Sequence, residues 1–215
     1  MFLSDVAIRE RLIDGSNKTK EEIIALLEKG HIVLDPFPTP EELATRLGPC
    51  SLDIQLGNKI REPLNVRNII RHHHGPTSIV HQVVDFRNEK TLDNPDTSAF
   101  GNYELEQDSE FVLEPQTMVR AVTKEFIGLP RDVVGFLHSR SKIGRYGISS
   151  SYDAPKFDPG FVGQMVLEIS NMGLRPFSLH PGLLICQMLF AQLDQPTSNP
   201  YFARKNSTWR WQTEP

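Results

Sequence analysis

From residue 110 onward, short β-type runs alternate with turn signals, and that spacing leaves few folds open. The runs cover 110–113, 117–123, 133–138, 164–170, 177–179 and 184–193. Between them stand Glu114-Pro115, Leu129-Pro130-Arg131-Asp132, Asn171-Met172-Gly173 and His180-Pro181-Gly182. Proline presets a turn dihedral and cannot donate to a ladder, while glycine and asparagine accept the left-handed dihedrals that turns need. Such spacing predicts an all-β core: a sandwich, a jelly roll or a barrel-like fold. Residues 51–56 alternate polar and apolar like a half-buried strand, and Gly57-Asn58 is expected to end it. Residues 79–86 are a further strand candidate, and the polar, Pro/Asn/Asp-rich stretch 87–102 is expected to be a loop.

The first 48 residues read differently. Ser4 is placed to cap a helix over 4–13. Thr19 and Glu22 form a capping box for a helix over 19–29, whose apolar face is Ile23, Leu26 and Leu27 and which Gly30 stops. Pro36, Pro38 and Pro40 keep 35–40 extended or turning, and 41–47 is expected to be one short helical turn. At 215 residues the chain is expected to be one domain. It would comprise short N-terminal helices over 1–48, an all-β core over 49–195 and a tail over 196–215. That tail holds Tyr201, Phe202, Trp209 and Trp211, so it is expected to fold over something.

Charge and cysteine content narrow the function. A net charge of −4 argues against a general nucleic-acid binder. Cys50 and Cys186 are far apart, both expected in the core, and no CxxC is present. Neither a disulfide framework nor a Cys-based zinc site is expected, and a reducing cytoplasm fits. No apolar run reaches the roughly 20 residues of a membrane span, and the N-terminus has no signal-peptide apolar core. His72-His73-His74 invites a metal reading, but consecutive side chains diverge and no HxxxH or HExxH spacing exists, so a loop cluster is expected.

The residues that could carry chemistry crowd into 138–168. Arg140 and Arg145 bracket a small-residue turn with Ser141 and Gly144, a pattern suited either to phosphate oxygens or to plain surface exposure. Ser141 lies in no Gly-x-Ser-x-Gly motif, so a nucleophile elbow is not supported. Asp158 in Asp-Pro-Gly is by default a turn residue. In 164–170, alternation puts Met165, Leu167 and Ile169 on one face and Gln164, Val166, Glu168 and Ser170 on the other. Glu168 is therefore either a solvated strand residue or a partly buried carboxylate able to pass protons.

These motifs resemble those of the dCTP deaminase family. The stretch from Arg140 through Ser141, Lys142, Ile143, Gly144 and Arg145 to Tyr146-Gly147 resembles its RSSLARLG signature. Phe157-Asp158-Pro159-Gly160-Phe161 with Val166-Leu167-Glu168 resembles its IDPGW…VLE segment, at matching spacing. Ser51-Leu52-Asp53-Ile54-Gln55-Leu56-Gly57-Asn58-Lys59 resembles TVDVRLGNKF, and His180-Pro181-Gly182 resembles RPG. The resemblance covers most of 30–212, leaving 17–29 and 87–102 as apparent insertions.

It implies a dUTPase-like jelly-roll or distorted barrel and a homotrimer with active sites between subunits. The implied reaction is zinc-independent hydrolytic deamination of dCTP to dUTP and ammonia, in pyrimidine deoxynucleotide biosynthesis. Glu168 would be the general acid/base, with Ser141, Arg145 and the Ala154 carbonyl around the attacking water. Arg140, Ser141 and Arg145 would hold phosphates, with Lys142, Ile143 and Gly144 in the same binding turn. Asp158 would bind the deoxyribose 3′-hydroxyl, Val166 and Leu167 would present backbone to the base, and Tyr201 and Gln212 would close from the tail. Mg²⁺ would accompany the triphosphate. Thr208 stands where the family tail carries a lysine, with Arg204, Lys205 and Arg210 as nearby replacements. Two further outcomes stay open: a bifunctional enzyme that continues to dUMP and pyrophosphate, and a nucleotide-binding regulator without turnover.

Overall fold

The computed structural model describes residues 1–63, 67–70, 78–81, 100–205, 207 and 209–215. The histidine cluster at 72–74, most of 87–102 and Thr208 lie outside them. The chain forms an all-β core with short N-terminal helices, as the turn spacing predicts. Helices α1 (Asp5–Arg11), α2 (Lys20–Glu28) and α3 (Pro40–Arg46) are capped by Ser4, Thr19 and Thr39. The Thr19–Glu22 box is reciprocal: Glu22 Oε2 accepts from the Thr19 N–H at 2.7 Å, and Thr19 Oγ1 accepts from the Glu22 N–H at 3.2 Å. The 1–48 segment is not purely helical, however. Strands β1 (Leu12–Asp14) and β2 (Ile32–Asp35) pair in parallel, β2 joins the main sheet, and β3 (Leu47–Gly48) follows α3. Ile32, Val33 and Leu34 are fully buried, which explains an apolar run too short to show a period.

The main strands are β4 (Ser51–Pro63), β7 (Phe100–Glu104), β9 (Met118–Gly128), β10 (Val133–Ser139), β13 (Val162–Asn171) and β15 (Leu184–Gln192). Shorter strands are β5 (Arg67–Ile70), β6 (Ser78–His81), β8 (Phe111–Leu113), β11 (Ile148–Ser149), β12 (Lys156–Phe157) and β14 (Phe177–Leu179). The hydrogen-bonded path runs β1-β2-β9-β4-β15-β10-β12, with β13 and β11 branching from β9, and β3 and β7 from β4. β4 pairs with β15 through Ser51–Gln55 and then with β9 and β7. The core inside this folded sheet includes Leu52, Ile54, Leu56, Met165, Leu167, Ile169, Met188 and Phe190.

Two strands run further than expected, each for a stated reason. Gly57 does not end β4; a Cβ there would lie 2.8 Å from the Val122 carbonyl oxygen and 2.9 Å from that of Thr123. The glycine permits a close backbone approach where the ladder shifts register between Leu56 and Ile60. Strand β9 continues past 123 because Glu125, polar by type, is fully buried and ion-paired with Arg46 of α3. The loop expected over 87–102 gives way to strand β7 from Phe100. Cys186 is buried as expected, and burial pushes its thiol up well above the ordinary value. Cys50 is not in the core: it is exposed on the tight connection between β3 and β4, where Gly48 pairs with Ser51. Among the described residues no helix is long and apolar enough to cross a membrane.

Candidate active site

A cavity of about 440 Å³ opens on the side of β13 that faces away from the core. Met165, Leu167 and Ile169 are fully buried on one face of that strand, while Val166 and Glu168, half-buried on the other, line the cavity. The neighbouring strands complete its floor. Glu168 stands directly opposite Arg120 on β9, and Arg120 opposite Arg61 on β4. Arg61 in turn stands opposite Asn102 of β7, and its Nε–H donates to Asn102 Oδ1 at 2.7 Å. Arg61 and Arg120 both line the cavity. Burial lowers the Arg120 guanidinium from its ordinary value; Arg61 adds to this and Glu168 opposes it.

One wall comes from the segment between β11 and β13. The Ser139 hydroxyl accepts from the Ser150 N–H at 2.7 Å, and the Leu137 N–H donates to the Pro155 carbonyl at 2.8 Å. These bonds, with β12 on β10, place Ala154 and Asp158 at the cavity. Asp158 opens a turn in which its carbonyl accepts from the Phe161 N–H at 2.9 Å, so its default role as a turn residue holds. Its carboxylate is also engaged, by Lys156 at 2.8 Å and by Arg204 of the tail at 3.1 Å. Burial alone would raise the Asp158 carboxyl, but Lys156 and Arg204 outweigh it and hold the group below its usual range.

The tail forms the opposite wall. Its 3-10 turn, Tyr201–Ala203, starts where the Tyr201 N–H donates to the Pro159 carbonyl at 2.8 Å. Gly160 has φ +83°, and a Cβ there would come within 2.7 Å of Pro200 and of the Tyr201 nitrogen, so this contact requires glycine. Further along, the Trp211 N–H donates to the Val162 carbonyl at 2.7 Å and the Gln164 N–H to the Gln212 carbonyl at 2.9 Å. Trp211 stacks on Phe126 with centroids 5.6 Å apart, and Lys20 of α2 lies 5.2 Å from its ring. Tyr201, Trp209 and Gln212 thereby reach the cavity. Of the replacements considered for a tail lysine, Arg204 is bound to Asp158, and Arg210 Nη1–H donates to the Phe202 carbonyl at 2.9 Å. Lys205 is exposed.

The expected site residues thus fall into two groups. Ala154, Asp158, Val166, Glu168, Tyr201 and Gln212 converge on one cavity. Arg140, Ser141, Lys142, Ile143, Gly144 and Arg145 do not line it. They follow β10 directly, as a short helix α4 (Ser141–Gly144) flanked by Arg140 and Arg145. Arg140 points back into its own chain, with Nη2 2.8 Å from Asp53 Oδ2 and Nη1–H donating to the Leu184 carbonyl at 3.3 Å. Ser141, Lys142, Gly144 and Arg145 are exposed. Leu167 adds only its backbone to that side of β13, since its side chain is in the core. Among the described residues no group of three His, Cys, Asp or Glu side chains is placed to hold a metal ion.

The sequence of this chain matches a known family. The model of the dCTP deaminase-like family fits residues 18–193. This chain belongs to that family. The chain is 33% identical to the dCTP deaminase of Natronomonas pharaonis over 215 residues, which is all of this chain and 92% of that one. It is 31% identical over 197 residues to the dUMP-forming dCTP deaminase of Methanosphaera stadtmanae, covering 91% and 89% of the two chains. The crystal structure of 2′-deoxycytidine 5′-triphosphate deaminase from Agrobacterium tumefaciens matches 88% of this chain with a TM-score of 0.52 at 22% identity. This chain spans 47% of that one, and the likeness shows a shared fold.

Arg61, Arg120, Lys156, Phe157 and Trp209 also line the cavity and carried no functional reading in the sequence. For Arg120 a signal did exist: a cation between the buried residues Val119 and Ala121 on an alternating strand. What was missing is the register that sets it beside Glu168.

Proposed function

We propose that this chain is an enzyme that deaminates dCTP hydrolytically, with Glu168 as the general acid/base. The observation that carries this reading is the cavity that gathers Glu168, Ala154, Asp158, Val166, Tyr201 and Gln212. In the proposed reaction Glu168 takes a proton from water as the oxygen attacks C4 of cytosine. It passes that proton to N3, then takes the proton of the new C4 hydroxyl and gives it to the amino nitrogen; the C4–N bond breaks as the C4 carbonyl forms, so that dCTP and water become dUTP and ammonia. The Ala154 carbonyl accepts a hydrogen bond from the attacking water, and Ser141 and Arg145 orient it. Asp158 holds the 3′-hydroxyl, which requires its carboxylate to share its Lys156 and Arg204 contacts with the sugar.

The exposed Ser141, Lys142, Gly144 and Arg145 lie outside this cavity, as does Arg140, which would have to share its Asp53 contact with a phosphate. The proposal therefore has a neighbouring copy bring Arg140, Ser141, Lys142 and Arg145 to the phosphates, as an intersubunit site of a homotrimer would. Mg²⁺ would ride on the triphosphate. The cavity carboxylates do not fit a protein-held cation, since Asp158 is already held by two basic groups and Glu168 faces Arg120. No step of the proposed reaction runs through a metal, and neither nucleic acid nor a membrane enters it.

The test is incubation of the purified chain with dCTP and Mg²⁺, with nucleotides separated by ion exchange and ammonia assayed alongside. Stoichiometric dUTP and ammonia are expected. Relatives named dUMP-forming at similar identity favour one second reading, in which dUMP and pyrophosphate appear with little free dUTP. Nucleotide that binds and stays unchanged would overturn both and leave a regulator.

A further inference from the structure

Two cations in the cavity floor have no part in the reaction as proposed so far. Arg61, Arg120 and Glu168 stand side by side on three adjacent strands, all turned into the same cavity. Directly opposed residues on neighbouring antiparallel strands have Cβ atoms about 4.5–5.5 Å apart, within reach of each other's side chains. Two arginines so placed repel each other, and the carboxylate of Glu168 on the far side of Arg120 relieves that repulsion. Arg61 has its Nε–H committed outward, to Asn102. Its charge therefore sits behind Arg120, on the side away from Glu168.

Among the described residues, the other groups around Glu168 leave this role to Arg120. Strand β11, on the far edge of β13, sets Ile148 and Ser149 opposite Asn171 and Ser170 and brings no charge. Lys156 is bound to Asp158, whose second oxygen is bound to Arg204. Tyr201 and Gln212 reach the cavity from the tail without a formal charge, and the Gln212 amide donates to the Gln164 carbonyl at 3.0 Å. Arg120 is the charged ladder neighbour of the carboxylate.

We propose that Arg120 is a positioning residue for Glu168, holding its carboxylate in one orientation toward the reacting ring, with Arg61 pressing Arg120 into place. The inference rests on Glu168 being the general acid/base. It predicts an effect on turnover rather than on nucleotide binding, because Arg120 acts through the carboxylate.

The experiment compares Arg120→Met and Arg120→Lys in the wild-type chain and in a Glu168→Asp background, whose shortened carboxylate is drawn back from its place. Because directly opposed neighbours are energetically coupled, Arg120→Met is expected to lower kcat about 30-fold with KM for dCTP within about threefold. Arg120→Lys, which keeps the charge, is expected to recover at least a third of the lost rate on the logarithmic scale. In the Glu168→Asp background, Arg120→Met is expected to cost less than about threefold, since the partner it orients is already displaced. A near-normal kcat in Arg120→Met overturns the proposal. So does a rate loss equal in both backgrounds, or one matched by weaker nucleotide binding. If Arg120→Met does not fold, Arg120→Gln against Arg120→Lys decides, with the lysine variant expected to be faster. Failure of the underlying reading looks different: Glu168→Gln would then retain turnover whatever Arg120 does.

Discussion

Glu168 and Arg145 lie in the same short stretch of sequence, yet the chain treats them in opposite ways. Glu168 is enclosed by its own chain: strand neighbours on β9 and β4 beneath it, the 150–158 segment on one side, the tail on the other. Arg145 and its turn are exposed, and the one inward cation there, Arg140, is tied to Asp53. The enclosed half has what the proposed proton transfer needs, a half-buried carboxylate at the floor of a cavity. The open half has what a charged, flexible ligand needs, cations beside small residues on an accessible turn. On the proposed function, the difference means that one chain holds the carboxylate side of the site, while the turn suited to phosphate is completed by a neighbouring copy.

Changing the enclosed half should have the largest effect. Glu168→Gln keeps shape and removes the proton carrier, and turnover of dCTP is expected to fall at least about a thousandfold, the upper range for a lost acid/base. Equilibrium binding of dCTP, measured by calorimetry, is expected to stay within about threefold. Near-normal ammonia release would remove Glu168 from the mechanism.

The two halves are joined by a buried network. Arg46 is ion-paired with Glu125 of β9, and its Nε–H donates to the Asp53 carbonyl at 3.0 Å, while the Asp53 side chain holds Arg140. Burial pushes the Glu125 carboxyl up, and Arg46 is the main influence pulling it back. Arg46→Met strips a buried carboxylate of its partner and is expected to cost about 3–5 kcal/mol, read from urea unfolding. A loss below about 1 kcal/mol would mean that the strand tolerates Glu125 without its cation.

This network also marks where the sequence stopped being legible. The turn spacing, the capping box at Thr19 and Glu22 and the alternation around Glu168 are local patterns, and each appears in the structure as expected. What could not be read are features decided by a distant partner. The continuation of β9 through Lys124 and Glu125 depends on an arginine 79 positions away. Gly57 lies inside a strand because of the carbonyls of Val122 and Thr123. Arg120 gains meaning only through its register against Glu168. Helix α2 has a similar story: Ile23 and Leu27 pack with Val33 and Val162, and Trp211 packs against that cluster. Helix α2 thus helps to hold the tail.

The open half should respond to charge rather than to shape. Arg145→Ala is expected to weaken dCTP binding about 10- to 100-fold, by loss of charge-assisted hydrogen bonds to phosphate, and deoxycytidine binding less than about threefold. Equal weakening of both would show that Arg145 does not meet phosphate. Leaving the stability of the isolated chain unchanged is part of the same expectation, because the side chain is exposed.

The smallest effect concerns the contact that closes the enclosed half. Lys156 and Arg204 hold the Asp158 carboxyl below its usual range. A carboxylate with a lowered folded-state pKa contributes its stability above the unfolded value and loses it as pH falls through the folded one. The tail's hold on Asp158 is therefore complete near neutrality and weakens only in acid, below the ordinary carboxylate range. Both tryptophans of the chain, Trp209 and Trp211, lie on this tail, so intrinsic fluorescence reports its docking. Arg204→Ala is expected to reduce the acid-induced fluorescence change, since the partner left to Asp158, Lys156, lies on β12 and not on the tail. Because both members of the Arg204–Asp158 pair are partly exposed, the effect is expected to be small, and KM for dCTP is expected to rise only about two- to fivefold. An Arg204→Ala fluorescence titration that overlays the wild type would show that the backbone bonds of Tyr201, Trp211 and Gln212 hold the tail without help from Asp158.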